Sequence, residues 1–314
     1  MKGRVQGSIL EVMDPLRSIV RLADGRDLDV LVGGAESSRA FLMINGTPAG
    51  VVARASDIEA IAVRGLRYVT YGRPGYGDST RVPGRSVADA APDIRALAEA
   101  LGLSRLYVLG WSGGGPHALA AAALLPDLVA STATVGGVAP FGAEGLDWLD
   151  GMAQENIDEF GATLAGAAEL EAFLSREAAS LADVTGASVA DFFGGLVPAV
   201  DRAALTDDFA EFMAESSRDA VRTGIWGWFD DDVAFAHDWG FDLGSIHGPV
   251  TIWQGSEDKM APFAHGRWLA GHVPGARPRL MEGEGHLSLA VSAFERILDE
   301  LVDADPSGIM PPGP

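Results

Sequence analysis

Three side chains here are of the types that together turn a hydroxyl into a nucleophile. Ser112 lies in Gly110-Trp111-Ser112-Gly113-Gly114. Asp258 ends the stretch Gln254-Gly255-Ser256-Glu257-Asp258, and His286 closes Glu282-Gly283-Glu284-Gly285-His286. A serine hydroxyl attacks a carbonyl only when a base removes its proton. An imidazole serves as that base when a carboxylate fixes its tautomer and stabilises the imidazolium. Of the six histidines, His286 alone follows a strand-like run through a glycine loop and opens a helix. His117 falls inside the helix after the serine and reads as a packed or capping residue, while His247, His265 and His272 suit loops or helix surfaces.

The glycines around Ser112 fit one purpose. A serine in a sharp strand-to-helix turn adopts a strained backbone conformation, and Gly110, Gly113 and Gly114 leave the crowded turn room. A phosphate cradle is the competing use of such a run, but it needs Gly-Lys-Ser/Thr, and no lysine is near. Acyl transfer also requires two donors for the developing oxyanion. The Gly113 N–H supplies one, and the Thr47 N–H in Ile44-Asn45-Gly46-Thr47-Pro48 offers the second.

These residues need a scaffold that brings distant segments to one edge. Residues 17–22 and 27–31 alternate around Asp24-Gly25, a hairpin signal. Apolar runs at 40–44, 67–71, 106–109, 129–135, 250–254 and 279–281 read as strands, with helical patterns between them at 55–63, 86–101, 116–125 and 262–269 and after them at 287–301. Strands alternating with helices imply a mostly parallel sheet covered on both faces, which binds ligands at the carboxyl ends of its strands. Between residues 141 and 240 only helical patterns occur, at 147–155, 157–182, 189–196, 207–223 and 232–237. Phe160, Phe173, Phe192, Phe193, Phe209, Phe212, Trp226, Trp228 and Phe229 recur there. The expected organisation is a core of residues 1–140 and 241–304, a helical cap at 141–240 and a disordered tail at 305–314, with residues 1–15 a loose lead-in.

The bulk properties exclude several functions. A net charge of −21 argues against nucleic acid and anionic membrane partners. The absence of cysteine removes disulfides, thiolate nucleophiles and Cys-ligated zinc. No apolar run reads as a secretory signal or membrane span, so a cytoplasmic location is expected. No cofactor or metal is implied; the expected partner is a small-molecule substrate, with a homodimer open.

Over residues 17–302 the chain resembles the α/β-hydrolase superfamily. The resemblance rests on Asn45-Gly46-Thr47-Pro48, the run YGRPGYGDS at 71–79, GWSGG at 110–114, GSEDKMAP at 255–262 and Gly283-Glu284-Gly285-His286. It implies a nucleophile elbow of Gly110, Trp111, Ser112 and Gly114, with Ser112 as nucleophile, Asp258 as acid, His286 as base, and Thr47 and Gly113 as oxyanion donors. Two positions depart from the pattern: Asn45 stands where the family commonly has histidine, and Gly72 where it has aspartate. The expected activity is cleavage of a carboxylic ester or lactone with an apolar part. Three alternatives share the architecture: a proline-releasing aminopeptidase, with Glu155, Glu159, Glu169 or Glu171 holding the substrate amine; a cofactor-free perhydrolase; and a non-enzymatic ligand receptor.

Overall fold

In the computed structural model, residues 12–305 are described. The sheet is built from β1 (Val12–Arg21), β2 (Asp27–Ala35), β3 (Arg39–Ile44), β4 (Arg67–Tyr71), β5 (Arg105–Trp111), β6 (Val129–Val135), β7 (Val250–Gly255) and β8 (Arg277–Met281). Their spatial order is β1-β2-β4-β3-β5-β6-β7-β8. The first two pairings are antiparallel and the rest are parallel. The connections are α1 (Ala55–Ala62), α2 (Ala90–Ala100) and α3 (Gly114–Leu124), then the run α4 (Gln154–Ala165), α5 (Ala167–Leu181), α6 (Val189–Phe192), α7 (Ala199–Ala204), α8 (Asp207–Val221) and α9 (Trp226–Phe235). The last elements are α10 (Phe263–His272), α11 (His286–Ser292) and α12 (Phe294–Asp303). No helix among the described residues is long and apolar enough to cross a membrane.

The core follows from period-two alternation in strands buried on both faces. On β5, Leu106 and Val108 pack with Leu42, Ile44 and helices α2 and α3. Tyr107, Leu109 and Trp111 point the other way, towards Phe41, α1 and α12. Each fully buried aliphatic chain contributes roughly 1.5–3 kcal/mol.

Chain order reverses where β3 lies between β4 and β5, so the loops after β3 and β5 diverge and leave a crevice. Register aligns the strand ends around it: Ile44 pairs with Gly110, Trp111 with Val135, Val135 with Trp253, and Gly255 with Met281.

Several boundaries differ from the sequence expectation. Residues 12–15 are already strand, and the rest of the lead-in lies outside the described residues. The pattern at 147–155 is turns until α4 begins at Gln154. The long pattern at 157–182 breaks into α4 and α5 at Gly166, whose φ of +125° no bulky residue adopts easily. The last helix breaks at Ala293, and α7 had no expected counterpart. Asp305, assigned to the tail, is instead buried and paired with Arg105 and the Tyr107 hydroxyl. Residues 306–314 lie outside the described residues.

Candidate active site

Ser112 and Gly113 are the only residues between β5 and α3. To turn the chain that fast, Ser112 takes φ +53°, the only positive φ outside glycine among the described residues. Such a conformation costs on the order of 1–3 kcal/mol, so the surroundings must hold it. The Ser112 N–H donates to the Val135 carbonyl at 2.8 Å, and its carbonyl accepts from the Gly115 N–H at 2.8 Å. A Cβ on Gly110 would strike the Gly114 backbone, and one on Gly114 would strike the Ile44 carbonyl. These glycines are required by close approach.

The loop after β3 runs against the serine. A Cβ on Gly46 would lie 3.6 Å from Ser112 Oγ, and one on Gly113 would collide with Thr47 Oγ1. Asn45 holds this loop from inside, donating to the Gly50 carbonyl at 3.0 Å and to Thr70 Oγ1 at 3.2 Å. Gly72 is enclosed by the Tyr76 carbonyl, Ser79 Oγ and Val51, all 3.0–3.1 Å from where a Cβ would sit, which leaves no room for an aspartate.

On the far side of the crevice, His286 Nδ1 lies 2.8 Å from Asp258 Oδ2. Asp258 Oδ1 accepts the N–H groups of Met260 and Ala261, and Oδ2 accepts from Gln254 Nε2 at 3.0 Å. The neighbouring Glu257 is exposed. Gly136 makes space for the imidazole, because a Cβ there would stand 2.7 Å from its ring atoms. Burial pulls the His286 pKa down, but the Asp258 charge and hydrogen bond, with Asp201 behind them, raise it above the ordinary imidazole value.

Two supports of this site had no sequence signal. Asp201 on α7 is buried and accepts the N–H groups of His286, Leu287 and Ser288 at 2.8–2.9 Å, capping α11. Asp231 on α9 binds Arg73 and Arg85 at 2.6 and 2.7 Å, and accepts from Thr47 Oγ1 and the Tyr76 hydroxyl. Arg73 in turn donates to the carbonyls of Asn45 and Gly46, which fixes the loop beside Ser112. Burial alone would raise the Asp231 pKa, but the two guanidinium groups hold it well below the carboxylate range. His117 is buried 3.4 Å from Asp231, and burial lowers its pKa to about 4. His265, expected on a surface, is buried and bonded to the backbone of Ala139 and Trp148.

Ser112, Gly113, Thr47 and His286 all line one cavity of about 170 Å3. Helices between β6 and β7 supply much of its wall. Phe160, Phe173, Phe192, Phe193 and Trp228 face it, whereas Phe209, Phe212, Trp226 and Phe229 pack elsewhere. Of the acids expected at a substrate amine, Glu155 and Glu159 reach the cavity; Glu169 and Glu171 are exposed away from it.

The fold and sequence together define a class. Residues 39–293 match the family described as alpha/beta hydrolase fold, and the chain belongs to that family. It is 24% identical over 269 residues to the 2-hydroxy-6-oxononadienedioate/2-hydroxy-6-oxononatrienedioate hydrolase of Cupriavidus pinatubonensis, covering 81% of each chain. A hydrolase from Pseudomonas aeruginosa shares the fold with a TM-score of 0.64 and 22% identity, covering 92% of this chain and 98% of that one. The enol-lactonase from Burkholderia xenovorans does so at 0.61 and 18%, covering 91% and 98%.

Proposed function

We propose that this protein is a serine hydrolase that cleaves a carboxylic ester or lactone of a small, partly apolar substrate through an acyl-enzyme. The observation that carries this reading is Ser112 at φ +53°, in one cavity with an imidazole whose Nδ1 is held by a buried aspartate. With Nδ1–H donated to Asp258, Nε2 of His286 carries the lone pair that accepts the serine proton. Oγ then attacks the carbonyl carbon. The negative charge moves onto the carbonyl oxygen, where the N–H groups of Gly113 and Thr47 stabilise it. The imidazolium returns its proton to the leaving alcohol, and a water deprotonated by the same Nε2 releases the acid. Among the described residues neither lysine nor arginine lines the cavity, and Phe and Trp faces dominate its apolar wall, which suits an acyl group with an apolar part.

The relative's named substrates are dioates, and the fold neighbour's is an enol-lactone. A dianion fits this chain poorly. Glu155, Glu159, Glu177 and Asp232 line the cavity, and among the described residues neither lysine nor arginine does. The lactone or monoester is the better match.

Ser112→Ala tests the reading. Turnover of p-nitrophenyl butyrate should fall by about 10⁴-fold or more, and fluorophosphonate labelling at position 112 should disappear, with the circular dichroism spectrum unchanged. Undiminished turnover in the variant would rule the serine mechanism out.

A further inference from the structure

A buried cation meets the loop beside Ser112 at its carbonyl groups. Arg73, 3% exposed, donates from Nη1 to the Asn45 carbonyl and from Nη2 to the Gly46 carbonyl at 2.7 Å. The Gly46 carbonyl and the Thr47 N–H belong to one planar peptide group. Among the described residues that N–H has no acceptor, and Thr47 lines the cavity with Ser112. A guanidinium therefore stands at one end of a single peptide group whose other end meets the cavity. The Thr47 hydroxyl is pinned from the same side, accepting from Arg73 Nη2 at 2.9 Å and donating to Asp231 at 2.7 Å.

The charge behind the loop is not cancelled. Arg73 and Arg85 share one carboxylate, Asp231, at 2.6 and 2.7 Å. The Tyr76 hydroxyl also donates to Asp231, and burial pushes that phenol well above its usual range, so it stays neutral. His117, lowered to about 4 by burial, adds no charge near neutral pH. Burial and Glu159 push the Asp232 carboxyl well above the carboxylate range, and Asp230 is paired with Arg81 at 2.8 Å. Two guanidinium groups thus face one carboxylate in the interior, where charges are screened least.

Resting on the assignment of Ser112, Gly113 and Thr47 above, we propose that Arg73 strengthens the oxyanion hole through the Gly46–Thr47 peptide. A charged donor on a peptide carbonyl draws electron density towards the oxygen and leaves the N–H of the same peptide more positive, so hydrogen bonds in series reinforce one another. The Thr47 N–H then gives a stronger bond to the oxygen that becomes negative when Ser112 attacks. The gain grows as that charge develops, so it falls on the transition state and not on substrate binding. Arg73 touches no substrate; it is a positioning residue acting through a peptide group.

Oxo- and thionoesters of one acid read this effect. A thionoester puts sulfur, a weak acceptor, where the oxyanion would form, so the ratio of the two kcat/KM values reports the oxyanion hole rather than the serine or imidazole. With p-nitrophenyl butyrate and its thionoester, Arg73→Met and Arg73→Gln should lower kcat for the oxoester by about tenfold at unchanged KM, less than the roughly 10²–10³ lost with a whole donor. Their oxo-over-thiono ratio should fall by a similar factor. Arg73→Lys, which restores a charge with fewer donors, should recover part of both. Equal losses on the two esters are what a merely structural role produces, and they overturn the proposal. Wild-type kcat in a folded neutral variant overturns it too. Circular dichroism shows which variants fold. If neither neutral variant does, Arg73→Lys decides: a lowered ratio supports the proposal and a wild-type ratio overturns it. Fluorophosphonate labelling at Ser112 separates the two readings. An inactive, unlabelled wild type fails both, whereas labelled protein with an unchanged ratio fails only the role of Arg73.

Discussion

Asp231 and Asp232 are consecutive residues on α9, both essentially excluded from solvent, yet they titrate in opposite directions. Burial acts alike on both, since each loses its hydration. The difference lies in what each faces. Asp231 faces two guanidinium groups, a tyrosine hydroxyl and a threonine hydroxyl from the loops after β3 and β4. Asp232 faces a cavity, a second carboxyl and apolar rings. A single position of sequence thus separates a carboxylate that holds the scaffold together from one that shares a cavity wall with a second carboxyl.

The comparison can be broken at three places. The greatest loss is expected where a fully supplied carboxylate is also the acid of the proposed mechanism. Asp258→Asn should lower kcat by about 10⁴-fold, because the imidazole then loses the partner that orients it. Glu257→Gln, one position away and exposed, should leave kcat within about twofold; steady-state kinetics with a p-nitrophenyl ester decides, and the opposite outcome would move the acid by one residue. Next, Asp231→Asn strands Arg73 and Arg85 in the interior. Removing one partner of a buried pair costs about 3–5 kcal/mol, which a urea titration would read as a lowered midpoint, with the Thr47 loop loosened and kcat reduced as well.

The smallest effect is expected at Asp232. Its carboxyl and that of Glu159 have raised pKa values in the folded chain, so the native state holds more protons than the unfolded one above about pH 4. Stability should therefore fall as pH rises from about 5 towards and through 7, the value reached by Glu159. Asp232→Asn should flatten this decline and alter stability by only about 1 kcal/mol at pH 5. Thermal melts of wild type and variant at pH 5 and 8 give the difference directly, and parallel curves would mean that Asp232 does not titrate in this way.

Much of the fold is legible in the sequence because its signals are local. The strand at 129–135 and the turn around Ser112 are each set by a few adjacent residues: a buried β-rich run in one case, glycines at fixed offsets in the other. Asp258 and His286 are readable for the same reason, each following a strand by a short loop. The supports are not. Asp201 meets His286 across 85 positions, and Asp231 meets Arg73 across 158. On an amphipathic helix, an acid turned inward has the same spelling as one turned to water. That is also why Glu155 and Glu159 could not be told from Glu169 and Glu171: all four lie on neighbouring helices, and only the packing of α4 and α5 decides which side is wet.

The helices between β6 and β7 are fastened to both halves of the crevice. Asp231 grips the loop beside Ser112, Ser216 and Asp219 on α8 bind the backbone of Gly50 and Val51, and Asp201 caps the helix that begins with His286. A chimera that exchanged this segment for one of equal length and helicity would remove every one of these ties at once. Transplanting a foreign specificity onto this scaffold therefore means carrying over three aspartates and a serine before a single pocket residue is chosen.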